Sequence, residues 1–462
     1  MGALFLLGMM LYFVVTFVWR RSGGAELSKL LCLLYLGMGL SATFIDLTEI
    51  LLPAFPPNYA STMYLLLCVC LSITSFMRFR SDHLTSVLGT FRGQKIIENF
   101  LIAAQLGAIV FFIPFAASSL TGDANENRLL LGDKAEMLGS YGLLNTMAGA
   151  ASQLFCSSLV MAFVRLSQHA PRRGAYARAL LLLLSSLSYV IYILAYVGRD
   201  GIVYWLMTVA MIYVLFKPHM PAQARRFVVR FASGTLALMI IPFAAITVAR
   251  FSGTDHGSLW SVLDYFGTQI QTFSDYSTLD RPLTLGIFNF PKFIGGACYL
   301  AGIDCPSWDD IKEITFEQYL AQGKAPWLFG TYVSDFVGDF GYEGALVLIL
   351  LFSALCYWLC SKSARGQTMT LPRLLLILFL FLVPYWGVFF FRFSIVNGFI
   401  IVNLIFFLMV HAIQRIGGAA TARSQVPRAS PKFPVDRKGH REETRSRRPQ
   451  RPQMTTLNVR GD

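Results

Sequence analysis

Apolar runs about as long as a membrane is thick, separated by short polar stretches, recur along most of the chain. A helix needs about 20 residues to cross a ~30 Å hydrocarbon core. Runs of that kind are read at 3–19, 28–45, 59–77, 99–120, 141–164, 179–197, 202–216, 227–249, 341–360, 373–391 and 394–412. Some of these boundaries follow from length: 179–216 and 371–413 are each too long for one helix rising ~1.5 Å per residue. Each has one polar break near its middle, at Gly198-Arg199-Asp200-Gly201 and at Arg392–Asn397, and both read as tight helical hairpins. The pattern predicts an all-α polytopic membrane protein with about eleven transmembrane helices. Eight spans fall in 1–249, a large external loop in 250–340, three spans in 341–414 and a polar tail in 415–462.

Composition agrees with this reading. The chain has 462 residues, 55% apolar and 14% charged, with a mean hydropathy of +0.55. A soluble domain carries roughly 25% charged residues, so the chain needs lipid as part of its solvent and soluble classes are excluded. The net charge of +13 would suggest nucleic acid, but its placement assigns it elsewhere. Loops at 20–29, 78–98, 165–178, 217–230 and 361–373 hold eighteen Lys/Arg and only Glu26, Asp82 and Glu98 as acids; the alternate loops hold nine Lys/Arg and nineteen Asp/Glu. Basic loops stay in the cytoplasm, which predicts N-out, C-in. The first span lacks a basic leader and an Ala-x-Ala site, and Arg20-Arg21 follow it; it reads as a reverse-oriented span, not a secretory signal.

The tail has twelve Lys/Arg against four acids and almost no apolar periodicity; it reads as a disordered, solubilising cytoplasmic segment, with anionic headgroups or RNA as the functional alternatives. Within the external loop, Ser258–Phe273 has the amphipathic spacing of a helix lying on a membrane surface. Six cysteines fall inside spans and read as small apolar residues. Cys298 and Cys305 face the oxidising side and are a disulfide candidate, provided the helix between them breaks at Gly302. No spacing suggests a metal site or a cofactor.

Phosphate-binding Gly-rich loops, Gly-x-Ser-x-Gly and His-Glu-x-x-His are all missing. The candidate chemistry lies on the outer side. Arg199 and Arg392 cap the two hairpins, Arg250 ends the eighth span, and Arg281 sits in the large loop. One such Arg commonly snorkels to headgroups. Four together suit a diphosphate, because the guanidinium fork matches phosphate oxygens. Asp335, Asp339 and Glu343 precede the ninth span at intervals of four and could share a helical face, where mutual repulsion would favour a general base. The alternative is a solvated helical turn whose acids favour the helix dipole. Asp46 with Glu49 is a weaker acid pair, and His256 is the lone outer histidine.

Gly-Arg-Asp-Gly-Ile-Val-Tyr-Trp-Leu-Met at 198–207 resembles the Arg-Ser-Gly-Leu start of a span in bacterial O-antigen polymerases of the Wzy type and their ligase relatives. Thr331 followed by Asp339-Phe340-Gly341-Tyr342-Glu343-Gly344 resembles the Thr…Asp-Phe-Gly-x-x-Gly segment of oligosaccharide repeat unit polymerases. Arg281-x-x-x-Leu285 and Arg128 with Gly139 match shorter patterns of ligases and polymerases. The resemblance covers roughly 180–412 in architecture. It implies metal-independent glycosyl transfer on the periplasmic face of a bacterial inner membrane, from undecaprenyl-diphosphate-linked oligosaccharide, with Arg199 and Asp339 as the matched residues and Arg281 beside them. A chain-length regulator and a flippase would be its partners. An O-antigen ligase, a lipid-glycan flippase or transporter, and a scaffold in an export complex are the alternatives; a transporter would be expected to show internal repeats, and none is visible.

Overall fold

A computed structural model describes residues 2–19, 24–48, 58–89, 91, 93–120, 138, 140–168, 173–196, 198, 200–251, 257–276, 283–323, 330–364, 369–391, 393 and 397–424. Every described element is helical. In chain order they are α1 Gly2–Phe13, continued by a π-helical turn Val14–Trp19, α2 Glu26–Thr48, α3 Tyr59–Ser75, α4 Gln94–Leu120, α5 Leu143–Ser152 and α6 Phe155–Ser167. Then come α7 Arg173–Ser186, α8 Ser188–Ala195, α9 Asp200–Phe216, α10 Ala222–Phe251 and α11 Gly257–Tyr276. The last five are α12 Pro291–Ala301, α13 Trp308–Ala321, α14 Thr331–Ala364, α15 Leu371–Trp386 and α16 Asn397–Ser424. Seven described stretches are long and apolar enough to cross a membrane: in α2, α4, α5–α6, α7–α8, from α9 through His219, α14 and α16. Leu7–Val18, Tyr59–Ser75 and Leu371–Trp386 are apolar but shorter. The chain is a helical membrane protein.

The basic loops converge on one hub, 78–98. Ala25 N–H donates to Phe79 O at 2.9 Å, and Ser81 donates through N (3.2 Å) and Oγ (2.7 Å) to Glu26. His219 Nε2 meets Ser81 O at 2.9 Å, and Ser86 Oγ donates to Met369 O at 2.8 Å. Arg165 and Arg178 both pair with Glu98. All five Lys/Arg-rich loops therefore gather at one end of the body. Links between the acidic segments lie elsewhere: Asn58 N–H to Ser274 Oγ (2.6 Å), Tyr64 OH to Tyr342 O (2.6 Å) and Asn145 Nδ2 to Tyr196 OH (3.1 Å).

The interior is built from aromatic and aliphatic side chains. Trp205, Trp386, Tyr35, Tyr189 and Tyr332 are fully buried, and Phe155 and Tyr189 stack at 4.3 Å beside Trp386. With lipid outside, backbone groups must find partners within the protein. Tyr35 OH accordingly donates to Pro384 O (2.9 Å), one of the last carbonyls of α15.

Some expectations need correction. The predicted surface helix Ser258–Phe273 forms as part of α11, but Ile270 and Phe273 are buried and the helix lies against α2. A Cβ on Gly267 would sit 2.8 Å from Ala42 N and 2.7 Å from Ile45 Cδ1. At Gly267, Ile270 and Phe273 that face is covered by protein and not by the membrane surface. A helix from Thr331 precedes the ninth span and Gly341 interrupts the two, so the predicted span start at 341 falls at the break. The predicted break at 392–397 opens earlier, because α15 stops at Trp386. The predicted tail boundary at 415 also moves, since α16 runs to Ser424. A compact unit ends at Gly418; of the second unit, Ala419–Asp462, only the helical residues to Ser424 are described.

Gly267→Ala should force α11 away from α2, as overpacking costs about 1–3 kcal/mol. The expected outcome is a midpoint of thermal unfolding in detergent lowered by several degrees. Gly8→Ala, which meets nothing within 4 Å, should leave it unchanged or slightly raised. Equal midpoints for Gly267→Ala and the wild type would contradict the packing.

Candidate functional site

Gly341 sets the geometry of the acidic end. Its φ of 70° and ψ of 177° interrupt α14, a conformation open to glycine and costly for residues with a Cβ. The break releases carbonyls from the helical ladder, and a buried carbonyl needs a partner. Asp339 O, which an unbroken helix would pair with the N–H of Glu343, instead accepts from Leu285 N–H at 2.9 Å. Tyr342 O accepts from Tyr64 OH. Segment 283–290 is thereby fastened to the bend.

Side chains repeat the attachment. Asp339 is fully buried. One carboxylate oxygen accepts from Thr284 Oγ1 and the other from Asn289 N–H at 3.0 Å. Asn289 Nδ2 donates to Asp335 O (2.8 Å), and Asp335 Oδ2 accepts from Phe391 N–H (2.5 Å). Asn397, the first residue of α16, donates through Nδ2 to Asn289 O (2.9 Å) and Phe393 O (2.6 Å), and its Oδ1 accepts from Lys292 N–H (3.1 Å). Thr331 N–H donates to Phe389 O and Tyr332 N–H to Gly387 O, so the bend after α15 caps the open amino end of α14. Gly387 permits that approach; a Cβ there would lie 2.8 Å from Tyr332 Cβ. Three segments remote in sequence, 283–292, 331–341 and 386–397, thus form one buried polar junction.

The junction is strained and incompletely paired. Leu285 (φ 50°) and Thr331 (φ 76°) occupy the left-handed region without being glycine, which is most unusual for a β-branched residue. Asn289 Oδ1, Thr331 Oγ1 and Trp386 Nε1 are buried without a hydrogen-bond partner among the described residues. Backbone strain and unpaired buried polar atoms concentrate at functional sites. Alongside, Lys292 Nζ and Gln153 Oε1 lie 3.7 and 3.6 Å from where a Cβ on Gly398 would be. A cation and a buried amide therefore border the first turn of α16, whose open N–H groups attract anions.

The predicted residues fare differently. Asp335 and Asp339 are brought together, but Glu343 is not: Gly341 rotates it off their helix, and it is exposed, so the shared face of three acids does not exist. Cys298 and Cys305 are disulfide-bonded with Cα atoms 6.2 Å apart. The helix between them ends at Ala301, and Gly302 (φ 64°) takes the left-handed cap. Arg199, Arg281, Arg392, His256 and Glu49 lie outside the described residues; for Arg250 and Asp46 the backbone is helical and the side chains lie outside the description. Their described neighbours are informative. Phe391 and Phe393 are buried in the junction, Leu283 and Thr284 enter it after Arg281, and Tyr204 of α9 meets Trp386 at 5.0 Å. Lys292, Asn289, Asn397 and Gln153 escape the sequence reading because single Asn, Gln or Lys residues carry no periodic signal. Comparison with known proteins returns no match to any family model, curated protein or solved structure.

Asp339→Asn would put an amide between two donors, and leaving buried donors unpaired costs about 1–3 kcal/mol. The variant should unfold several degrees below wild type in detergent. Asn289→Ala should do the same, and the double variant should lose less than the sum, because both loosen one junction. Additive losses would show that the two residues act separately.

Proposed function

We propose that this chain is a glycosyltransferase of the O-antigen polymerase type, working on undecaprenyl-diphosphate-linked oligosaccharide at the periplasmic face of a bacterial inner membrane. The observation that carries the reading is the buried junction. It knits together the segments that hold the Thr331…Asp339-Phe340-Gly341 motif and those that border Arg281 and Arg392, on the side away from the basic hub. With the basic loops cytoplasmic, eleven spans put the N-terminus and the junction outside and the C-terminus inside. The absence of nucleotide and metal motifs from the sequence agrees with a donor that carries its own leaving group.

In this reading the acceptor sugar's hydroxyl attacks the anomeric carbon of the donor, the bond to the diphosphate breaks, and the diphosphate leaves on its lipid. Negative charge grows on the departing oxygen, and cations fixed in advance stabilise it. Arg199, Arg250, Arg281 and Arg392 are the proposed diphosphate contacts. Lys292, exposed at the head of α16, joins them. Asp339 is enclosed with both oxygens already accepting, so its role is positioning: it fixes Thr284 and Asn289, and through them the strand of chain that follows Arg281. Glu343, exposed, is the acid within reach of an acceptor proton.

Replacing any one of the four Arg residues, or Lys292, with Ala should shorten or abolish the ladder of lipid-linked glycan on gels while membrane protein levels hold. One charge-assisted contact shielded from water contributes about 3 kcal/mol to the transition state, roughly a hundredfold in rate. Arg→Lys should recover only part of it. Normal ladders in three of the four Arg variants would defeat the reading. The topology is checked separately: a single cysteine at position 125 or 320 should react with an impermeant thiol reagent in intact cells, and one at 170 should not. Labelling of 170 would overturn it.

A further inference from the structure

At the opposite, basic end, Glu98 is fully buried and faces two guanidiniums, Arg165 Nη2 at 3.0 Å and Arg178 Nε at 2.6 Å. Gln94 Nε2 donates to its second oxygen at 2.8 Å and is tied through Gln168 to Arg165. Two guanidiniums against one carboxylate leave this cluster one positive charge in excess. Its arginine side chains are only 15% and 26% exposed. A mostly buried, uncompensated charge among apolar helices is unfavourable unless an anion joins it.

A cleft of ≈ 530 Å³ opens beside Arg178, between α4 and α7. Small residues create the space: Ala103 on one wall, Gly174 and Ala177 on the other. Its polar part is Asn99 and Arg178, where Arg178 Nη2 also reaches Asn99 Oδ1 and Lys95 O. Farther along both helices, away from the basic loops, its walls are Ile102 and Leu181. Exposed Lys95 stands one turn before Asn99 on α4. The cleft is thus cationic at the end where a headgroup would lie and apolar where an acyl chain would run.

We infer that the α4–α7 cleft binds one anionic phospholipid of the cytoplasmic leaflet, its phosphate beside Arg178 and Lys95 and an acyl chain along Ala103 and Leu181. This inference does not depend on the proposed enzymatic reaction. The occupant follows from the excess charge, which a zwitterionic lipid does not neutralise, and from the apolar continuation, which a free phosphate would leave empty. The positive-inside distribution puts this end at the leaflet where anionic lipids attract Lys and Arg.

The full-length protein, released from detergent in native mass spectrometry after incubation with phosphatidylglycerol or phosphatidylethanolamine, provides the test. One phosphatidylglycerol should be retained at least tenfold more than phosphatidylethanolamine. Ala177→Phe, which fills the cleft from an exposed position, should abolish the preference. Lys95→Gln, also exposed and free of the fold's buried contacts, should reduce retention about fivefold, as expected for one cation near a lipid phosphate. Ile113→Phe, on the exposed face of α4 away from the cleft, should change nothing. Each variant's unfolding midpoint without lipid identifies any that fails to fold, in which case Lys95→Gln decides. Equal retention of the two lipids, displacement of phosphatidylglycerol by inorganic phosphate, or full retention by folded Ala177→Phe and Lys95→Gln would overturn the assignment.

Discussion

The constraint on which the acidic end depends is that a helix broken inside an apolar body must find new partners for the carbonyls it releases. Gly341 breaks α14. Leu285 N–H takes up one freed group, Asp339 O, while Tyr64 OH bonds Tyr342 O just past the break, and from that attachment much of the architecture at this end follows. The segment after Arg281 is held against the bend, Asn289 reaches Asp335, and Asn397 brings in the start of α16. A straight α14 would leave 283–290 without its backbone anchor. A polar interior is costly when half satisfied and specific when nearly complete. Here it is nearly complete, and the few unpaired atoms sit beside the strained residues.

The basic end is organised differently. There the hub is a loop, 78–98, and its links are short backbone and hydroxyl bonds together with one buried carboxylate held by two arginines. These contacts fix the relative heights of the helices that enter and leave the hub. The acidic end joins its segments through side-chain amides and carboxylates as well as backbone bonds.

Much of the fold was legible in the sequence. Length and hydropathy located the long helices, and the alternation of Lys/Arg-rich and Asp/Glu-rich loops matched two separate sets of contacts. What escaped was set by tertiary partners. Tyr332 and Phe336 precede the predicted ninth span, yet they are core residues of a helix that runs up to Gly341. Glu98 counted as an ordinary loop acid, although Arg165 and Arg178 bury it completely. The amphipathic pattern of Ser258–Phe273 specified a face to be covered, but not whether lipid or α2 would cover it. At the site, Asp339 was visible as a motif acid, while its enclosure depends on Thr284 and Asn289, some fifty residues earlier in the chain. The tenth span also ends sooner than hydropathy suggests, at Trp386, where Gly387 turns the backbone without adding any polarity.

The role proposed for the junction is the growth of a lipid-linked glycan by transfer between two lipid carriers. The most direct measurement is to reconstitute the purified full-length protein in vesicles with undecaprenyl-diphosphate-linked repeat unit from the same cells, in chelator and without nucleotide, and to follow glycan length by gel and mass spectrometry. Lipid-linked chains of two or more repeat units, with matching release of undecaprenyl diphosphate, are expected. Movement of unextended repeat unit across the bilayer without any lengthening would contradict it.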